Sequence, residues 1–217
     1  MEIKNLTACY GDKKVIDNLS INFEDGQISC VLGASGVGKT TLLNCIANLK
    51  NYQGEIESKT VSYVFQQPRL IGGITVYKNL ELVGISHRDI ISGLEKVNLL
   101  DKKDCYPHSL SGGEKQRINF LRAISYPSQV VIMDEPFSSL DLKLKLCLIS
   151  DFLSLWKESK KTVIFVTHDV DEALMLANRV IVMSEQKVAL DLKVDAPYPR
   201  EYLQNEKERK ILLSAIL

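Results

Sequence analysis

The sequence predicts an α/β protein built on a mainly parallel, buried sheet, and three observations carry that prediction. Residues 28–32 (Ile28-Ser29-Cys30-Val31-Leu32), 130–133 (Val130-Val131-Ile132-Met133) and 162–166 (Thr162-Val163-Ile164-Phe165-Val166) are short, nearly continuous apolar runs, the pattern of strands covered on both faces. The first run leads directly into Gly33-Ala34-Ser35-Gly36-Val37-Gly38-Lys39-Thr40 and then into a helical pattern over 41–47. Between the other two runs, residues 140–157 are long enough for a crossover helix.

The remaining elements follow in chain order. Ile3, Leu6 and Ala8, then Leu19, Ile21 and Phe23, alternate with polar residues around the turn signals Gly11-Asp12 and Asp25-Gly26, which predicts antiparallel strands leading into the glycine-rich loop. Residues 53–66 read as another short hairpin, formed by 54–56 and 61–65. From 75 to 125 the apolar spacing becomes helical, with Leu80, Leu82 and Val83, then Ile90, Ile91 and Leu94, then Ile118, Leu121 and Ile124. After Ala173-Leu174-Met175-Leu176-Ala177, a last strand pair at 180–183 and 187–190 precedes a polar tail with an amphipathic end at Ile211-Leu212-Leu213. The expectation is one domain over 1–217: a core from 1–66 and 126–190, a helical insertion over 67–125, and a C-terminal tail over 191–217.

Composition narrows the function. Lys+Arg and Asp+Glu are both 27, so no net field draws the chain toward nucleic acid or anionic lipid. Cys9, Cys30, Cys45, Cys105 and Cys147 show no C-x-x-C spacing and read as small reduced core residues of a cytosolic protein. The N-terminus lacks the apolar stretch of a secretory signal, and nowhere do about 18 uncharged apolar residues run together. A role at a membrane would require docking on another subunit.

The loop over 33–40 is suited to phosphates. Glycines at 33, 36 and 38 permit backbone angles that let successive amide N–H groups surround phosphate oxygens, and the helix beginning near Lys39 adds its unpaired N–H groups and positive dipole end. The expected nucleotide-binding set is Gly33, Ser35, Gly36, Val37, Gly38, Lys39, Thr40 and Thr41. Lys39 would reach the β- and γ-phosphates, Thr40 would ligate Mg²⁺, and Thr41 would bond the α-phosphate. Asp134-Glu135 stands beyond the carboxyl end of a buried strand, the edge at which such sheets bind ligands. There Asp134 can hold Mg²⁺ and Glu135 can polarise the attacking water, although such a pair also serves as a helix N-cap.

Leu110-Ser111-Gly112-Gly113-Glu114-Lys115-Gln116-Arg117 places a hydroxyl and two unobstructed amides at a helix start, a second anion site in a chain that already has a triphosphate cradle. The economical use for Ser111, Gly112 and Gly113 is to close over the nucleotide of a neighbouring copy. In order and spacing these motifs resemble the ATP-binding subunits of ABC transporters, in which Leu-Ser-Gly-Gly followed by Gln or Glu is the most specific element. The resemblance runs from about Ile3 to Ser184.

The resemblance implies a P-loop fold of ABC type with an N-terminal antiparallel β-subdomain, ATP and Mg²⁺ as cofactors, and two subunits that sandwich two ATP molecules head to tail. It identifies Gln66, after residues 62–65, as a contact to Mg²⁺ and the attacking water. His168, at the end of a strand, could bond the γ-phosphate and Glu135 together. Tyr10 would stack on adenine, a half-buried core tyrosine being the alternative, and Asp141 would cross the dimer interface or cap the following helix.

Residues 64–70, 74–76 and 151–156, Asp169-Val170-Asp171-Glu172-Ala173 and Pro199-Arg200 look most like importer ATPases of the nitrate, sulfonate and taurine group. Gln67, where that group usually has glutamate, and Gly72-Gly73 depart from it. The partners implied are a second copy, transmembrane permease subunits and a solute-binding protein, with no nucleic acid. The location implied is the cytoplasmic face of the membrane, and no appended regulatory domain is expected. An exporter or lipoprotein-releasing ATPase would keep the same catalytic residues. A soluble ABC mechanoenzyme would need a long coiled coil, a second domain or a basic surplus; a small-molecule kinase or GTPase would leave Ser111-Gly112-Gly113 and His168 without use.

Overall fold

The structure, a computed structural model, describes residues 1–138 and 140–216; Ser139 and Leu217 lie outside the described residues. In chain order the elements are β1 (Glu2–Tyr10), β2 (Lys13–Asn22), β3 (Ile28–Leu32), α1 (Lys39–Ile46), β4 (Gln53–Ile56), β5 (Val61–Val64), α2 (Val76–Glu81), α3 (His87–Lys96), α4 (Gly112–Ser125), β6 (Val130–Asp134), α5 (Leu142–Ser159), β7 (Thr162–Thr167), α6 (Val170–Leu176), β8 (Arg179–Ser184), β9 (Lys187–Lys193) and α7 (Glu206–Ile216).

They form two sheets, a three-stranded antiparallel one in the order β2-β1-β4 and a six-stranded one in the order β5-β6-β7-β3-β8-β9. The larger sheet is parallel except for its edge strand β9. Its continuous apolar runs are explained by what covers each face. Ile164 and Val166 of β7 pack with α1 and the small sheet through Leu42, Leu43, Ile3 and Phe23. Val163 and Phe165 face the other way, toward Phe120, Phe137 and Phe152. In β1, Ile3, Leu6 and Ala8 are buried, but the step from Ile3 to Leu6 is three residues. Asn5 at φ 51° and a register shift absorb the extra residue and return Leu6 to the core face.

The hairpin expected over 53–66 does not form. β4 pairs antiparallel with β1 (Ile3↔Ile56), whereas β5 pairs parallel with β6 (Val64↔Met133), so the two strands belong to different sheets. A four-residue strand does not specify its partner. The partners are selected by distant contacts: a Cβ on Gly54 would fall 2.4 Å from Asn5 O, and the Ser62 hydroxyl donates to Ala123 O at 2.9 Å. The cysteine expectation also needs correction. Cys30 and Cys45 are buried, but Cys9 and Cys147 are exposed.

The C-terminal segment is anchored by Arg200, which is buried and donates to Ala196 O (2.8 Å), Leu174 O (3.0 Å), Val194 O (3.0 Å) and Ala177 O. Two of these carbonyls belong to the C-terminal end of α6, where a cation also complements the helix dipole. Burial lowers the Arg200 pKa, with Tyr198 and Asp195 opposing the shift. Arg200→Ala leaves four carbonyls without this donor. It should cost about 2–4 kcal/mol, lowering the calorimetric melting temperature by roughly 5–12 °C.

No described helix is long and apolar enough to cross a membrane.

Candidate nucleotide-binding and catalytic site

Parallel register brings the candidate residues to one edge. Val31 and Asp134 both pair with Val166, and Leu32 pairs with Thr167, so the loop after β3, the carboxylates at the end of β6 and His168 after β7 emerge side by side. Val64 of β5 pairs with Met133, which sends Gln66 toward the same edge. This is the carboxyl end of the sheet, where open α/β sheets place their ligands.

The geometry of the loop requires its glycines. Gly36 and Gly38 have φ of 82° and 112°, and a Cβ on Gly33 would lie 2.5 Å from Met183 O. Gly38 caps α1 with no side-chain hydrogen bond, and the first turn of α1 has no acidic residue. By contrast Thr75, Ser86, Ser111, Asp141 and Asp169 each accept first-turn N–H groups of α2 to α6. α1 therefore keeps its N-terminal donors for an anion.

Lys39 is buried, and its ammonium donates to Gly33 O at 2.8 Å and Ala34 O at 2.9 Å, within the loop itself. Burial lowers its pKa, opposed by the nearby charges of Glu135 and Asp134. Phosphate oxygens are stronger acceptors than these carbonyls and would stabilise the charge further.

The Thr40 hydroxyl donates to Asp134 Oδ1 at 3.0 Å. Burial raises the Asp134 pKa, and the Thr40 hydrogen bond works against that shift. A nearby cation would favour the ionised form. Glu135 has φ 43°, a sparsely populated conformation for a non-glycine residue. Its backbone N–H donates to Val166 O at 3.1 Å, and its carboxylate stands 3.2 Å from His168 Nδ1 and 3.9 Å from Lys39 Nζ. Gln66 Nε2 donates to Ser138 Oγ at 3.0 Å, and Ser138 N–H donates to Glu135 O at 3.1 Å, so Gln66 is linked to the turn that holds Glu135.

A cavity of about 270 Å³ is lined by Tyr10 and Val15, by Ser35, Gly36, Gly38, Lys39, Thr40 and Thr41, and by Glu135. A second, of about 390 Å³, shares Tyr10, Val15 and Gly36 with it and adds Val37. Tyr10 is 53% exposed with Lys50 Nζ 3.5 Å from its ring centroid, which rules out the core alternative for this tyrosine.

The expected second anion site lies elsewhere. Neither Ser111 nor Gly112 lines the first cavity. Ser111 and Glu114 form a capping box, with Ser111 N–H donating to Glu114 Oε2 at 2.7 Å. A Cβ on Gly113 would meet Leu144 of α5 at 2.8 Å, so packing accounts for that glycine. Among the described residues a Cβ on Gly112 would meet nothing within 4 Å, so packing there does not require a glycine. Asp141 is exposed and accepts from Leu144 N–H at 3.0 Å, which satisfies its capping role.

The sequence pattern that defines the ABC transporter family matches residues 16–138. The chain belongs to the ABC transporter family. It is similar to the aliphatic sulfonates import ATP-binding protein SsuB 1 of Paracoccus denitrificans, with 37% identity over 91% of this chain and 85% of that one. Identity is also 37% to the SsuB protein of a Mycobacterium species, over 91% of this chain and 85% of that one. A solved ATP-binding cassette, MJ0796, in a dimeric post-hydrolysis state with ADP and Pi bound, superposes with a TM-score of 0.75 at 26% identity, over 90% of this chain and 99% of that one. This ABC subunit is thus an ATPase that powers transport, with ATP and Mg²⁺ as its cofactors.

The residues present fit that pair of cofactors. Among the described residues no group of three His, Cys, Asp or Glu could hold a metal by itself. A hydroxyl and one carboxylate 3.0 Å apart beside a phosphate cradle match the way Mg²⁺ is held, by few protein oxygens plus those of the nucleotide.

Sequence reasoning missed three participants: Ser138, which holds Gln66; Lys50, over the Tyr10 ring; and Lys145, whose ammonium meets Asp169. Lys145 left only a weak signal, one of two lysines alternating with leucines on the first turns of α5.

Proposed function

We propose that this subunit binds ATP in the 33–41 cradle and hydrolyses it only when a second copy supplies Ser111, Gly112 and Gly113 over the γ-phosphate. Lys39 neutralises the β- and γ-phosphates, while Gly33, Ser35, Gly36, Val37, Gly38 and Thr41 surround them with donors and Tyr10 stacks on the base. Thr40, Asp134 and Gln66 would hold Mg²⁺, which when bound would supply charge neutralisation. Glu135 orients and deprotonates the attacking water, and His168 fixes Glu135 and reaches the γ-phosphate. Asp141 faces the partner across the interface. The observation that carries the split-site reading is the Ser111-Gly112-Gly113 helix start, which stands outside the nucleotide cavity and at Gly112 presents open space to a neighbouring copy.

ATP bridges both halves and favours the closed dimer; cleavage breaks the bridge and the dimer opens. Residues 67–125, linked to the site through Gln66, carry this motion to transmembrane permease subunits that hold the chain on the cytoplasmic face of the membrane. A solute-binding protein delivers the cargo. The relatives named for aliphatic sulfonate import support a small sulfonate as that cargo.

Deleting the gene should abolish growth on an alkanesulfonate as sole sulfur source and leave growth on sulfate intact. Unimpaired growth on the sulfonate, with loss of another solute's uptake, would reject the sulfonate assignment while leaving the ATPase reading standing.

A further inference from the structure

A partly buried ion-pair cluster outside the nucleotide cavity joins the two loops on which the proposed cycle depends. Lys145 stands on an early turn of α5, the helix capped by Asp141, and its backbone N–H donates to Asp141 O at 3.0 Å. Its ammonium reaches across to α6, where it lies 2.7 Å from Asp169 Oδ2 and 2.6 Å from Glu172 Oε1. The side chains of Lys145 and Glu172 are 17% and 3% exposed, so the pair is largely removed from solvent. Burial works against the Lys145 charge, but hydrogen bonds to both carboxylates prevail and raise its pKa.

The same cluster holds both neighbours of His168. Asp169 follows it, caps α6 through Asp171 and Glu172 N–H, and donates its own N–H to Thr167 Oγ1 at 3.1 Å. Thr167 precedes it, and its hydroxyl donates to Glu172 Oε2 at 2.6 Å. Neither Lys145 nor Glu172 lines the nucleotide cavity. His168 itself is half exposed, and its alignment on Glu135 therefore depends on how these flanking residues are fixed.

We propose that Lys145 is a positioning residue for hydrolysis, a tie that transmits the setting of the Asp141 turn to the His168 loop and so aligns His168 on Glu135. This rests on the assignment of Asp141 to the dimer interface and of His168 to the γ-phosphate. A change at the partner-facing turn then alters alignment at the chain's own nucleotide. A short rigid connection suffices, because a misplacement of about 1 Å can slow a step by about 10²-fold.

Lys145→Met alone would leave the buried Glu172 carboxylate and the partly buried Asp169 without their cation, which can unfold the chain. The test therefore uses Lys145→Met/Glu172→Gln in the purified full-length protein, which removes the ammonium and the more deeply buried of its two carboxylates at similar volume, keeps an oxygen for the Thr167 hydroxyl, and leaves the partly exposed Asp169 its N–H donors from Asp171 and Glu172. The expected result is a near-parental melting temperature, a KM for ATP within about twofold, and a kcat reduced about tenfold. Adding His168→Ala should cause no further loss beyond that of His168→Ala alone, because both act through the same imidazole, whereas a merely structural defect would multiply the losses. Lys145→Arg should retain most activity.

Parental kcat in the double variant, or multiplicative losses with His168→Ala, would overturn the proposal. If His168→Ala alone hydrolyses ATP at the parental rate, the underlying site assignment fails as well. That outcome is distinct from an impaired His168→Ala beside an unimpaired Lys145 variant, which rejects the tie alone.

Discussion

Replacing Glu135 by glutamine should reduce steady-state ATP hydrolysis by a factor of about 10²–10⁴ while leaving ATP binding intact. The amide keeps the size of the side chain and an oxygen 3.2 Å from His168 Nδ1, but it cannot take a proton from water. The substitution also removes a negative charge 3.9 Å from Lys39, beside the expected position of the γ-phosphate, so bound ATP experiences less repulsion. With closure intact and cleavage blocked, the protein should accumulate as an ATP-bound dimer, visible by light scattering with ATP but not with ADP. Parental hydrolysis by the purified variant would remove Glu135 from its role as base.

Ser111→Arg should abolish hydrolysis with almost no effect on nucleotide affinity, a combination expected only if the active site is divided between chains. Ser111 is absent from the lining of the cavity around Lys39, so its replacement should leave the Kd for ATP within about threefold. In the closed dimer the guanidinium would occupy the space kept clear beside Gly112 and prevent the second half of the site from sealing the first. Loss of the Ser111 cap costs about 1 kcal/mol, too little to unfold the chain, and calorimetry separates that loss from the catalytic one. Turnover should fall at least a hundredfold, because charge stabilisation in the transition state is the largest contribution of such donors. A Ser111→Arg protein with parental turnover, or full activity in a demonstrated monomer, would refute the division.

Much of this chemistry was legible in consecutive residues. Gly33 to Thr41 follow one strand without interruption, and Asp134-Glu135 and His168 follow two others, so the apolar runs before them announced a common sheet. Parallel pairing then places their ends at one edge as a matter of register. Tyr10 was left open between a core and a surface role because alternation near a strand end does not distinguish them; its exposure in the structure does. The hairpin read over 53–66 failed for a related reason, since two short strands a few residues apart carry no label for the neighbour each pairs with.

The amino-acid sequence by itself determined the phosphate loop, the carboxylates at the end of β6, the second glycine-rich helix start and the buried character of the central strands. These depend on neighbours in the chain, and backbone geometry, helix donors and side-chain period all act over a few residues. Only the tertiary structure decided which sheet receives β4 and β5, that Arg200 caps α6, and that Lys145 binds Asp169 and Glu172. Those contacts join residues 20 or more positions apart. Their partners are selected by the packing of whole elements, which no local pattern of residues encodes.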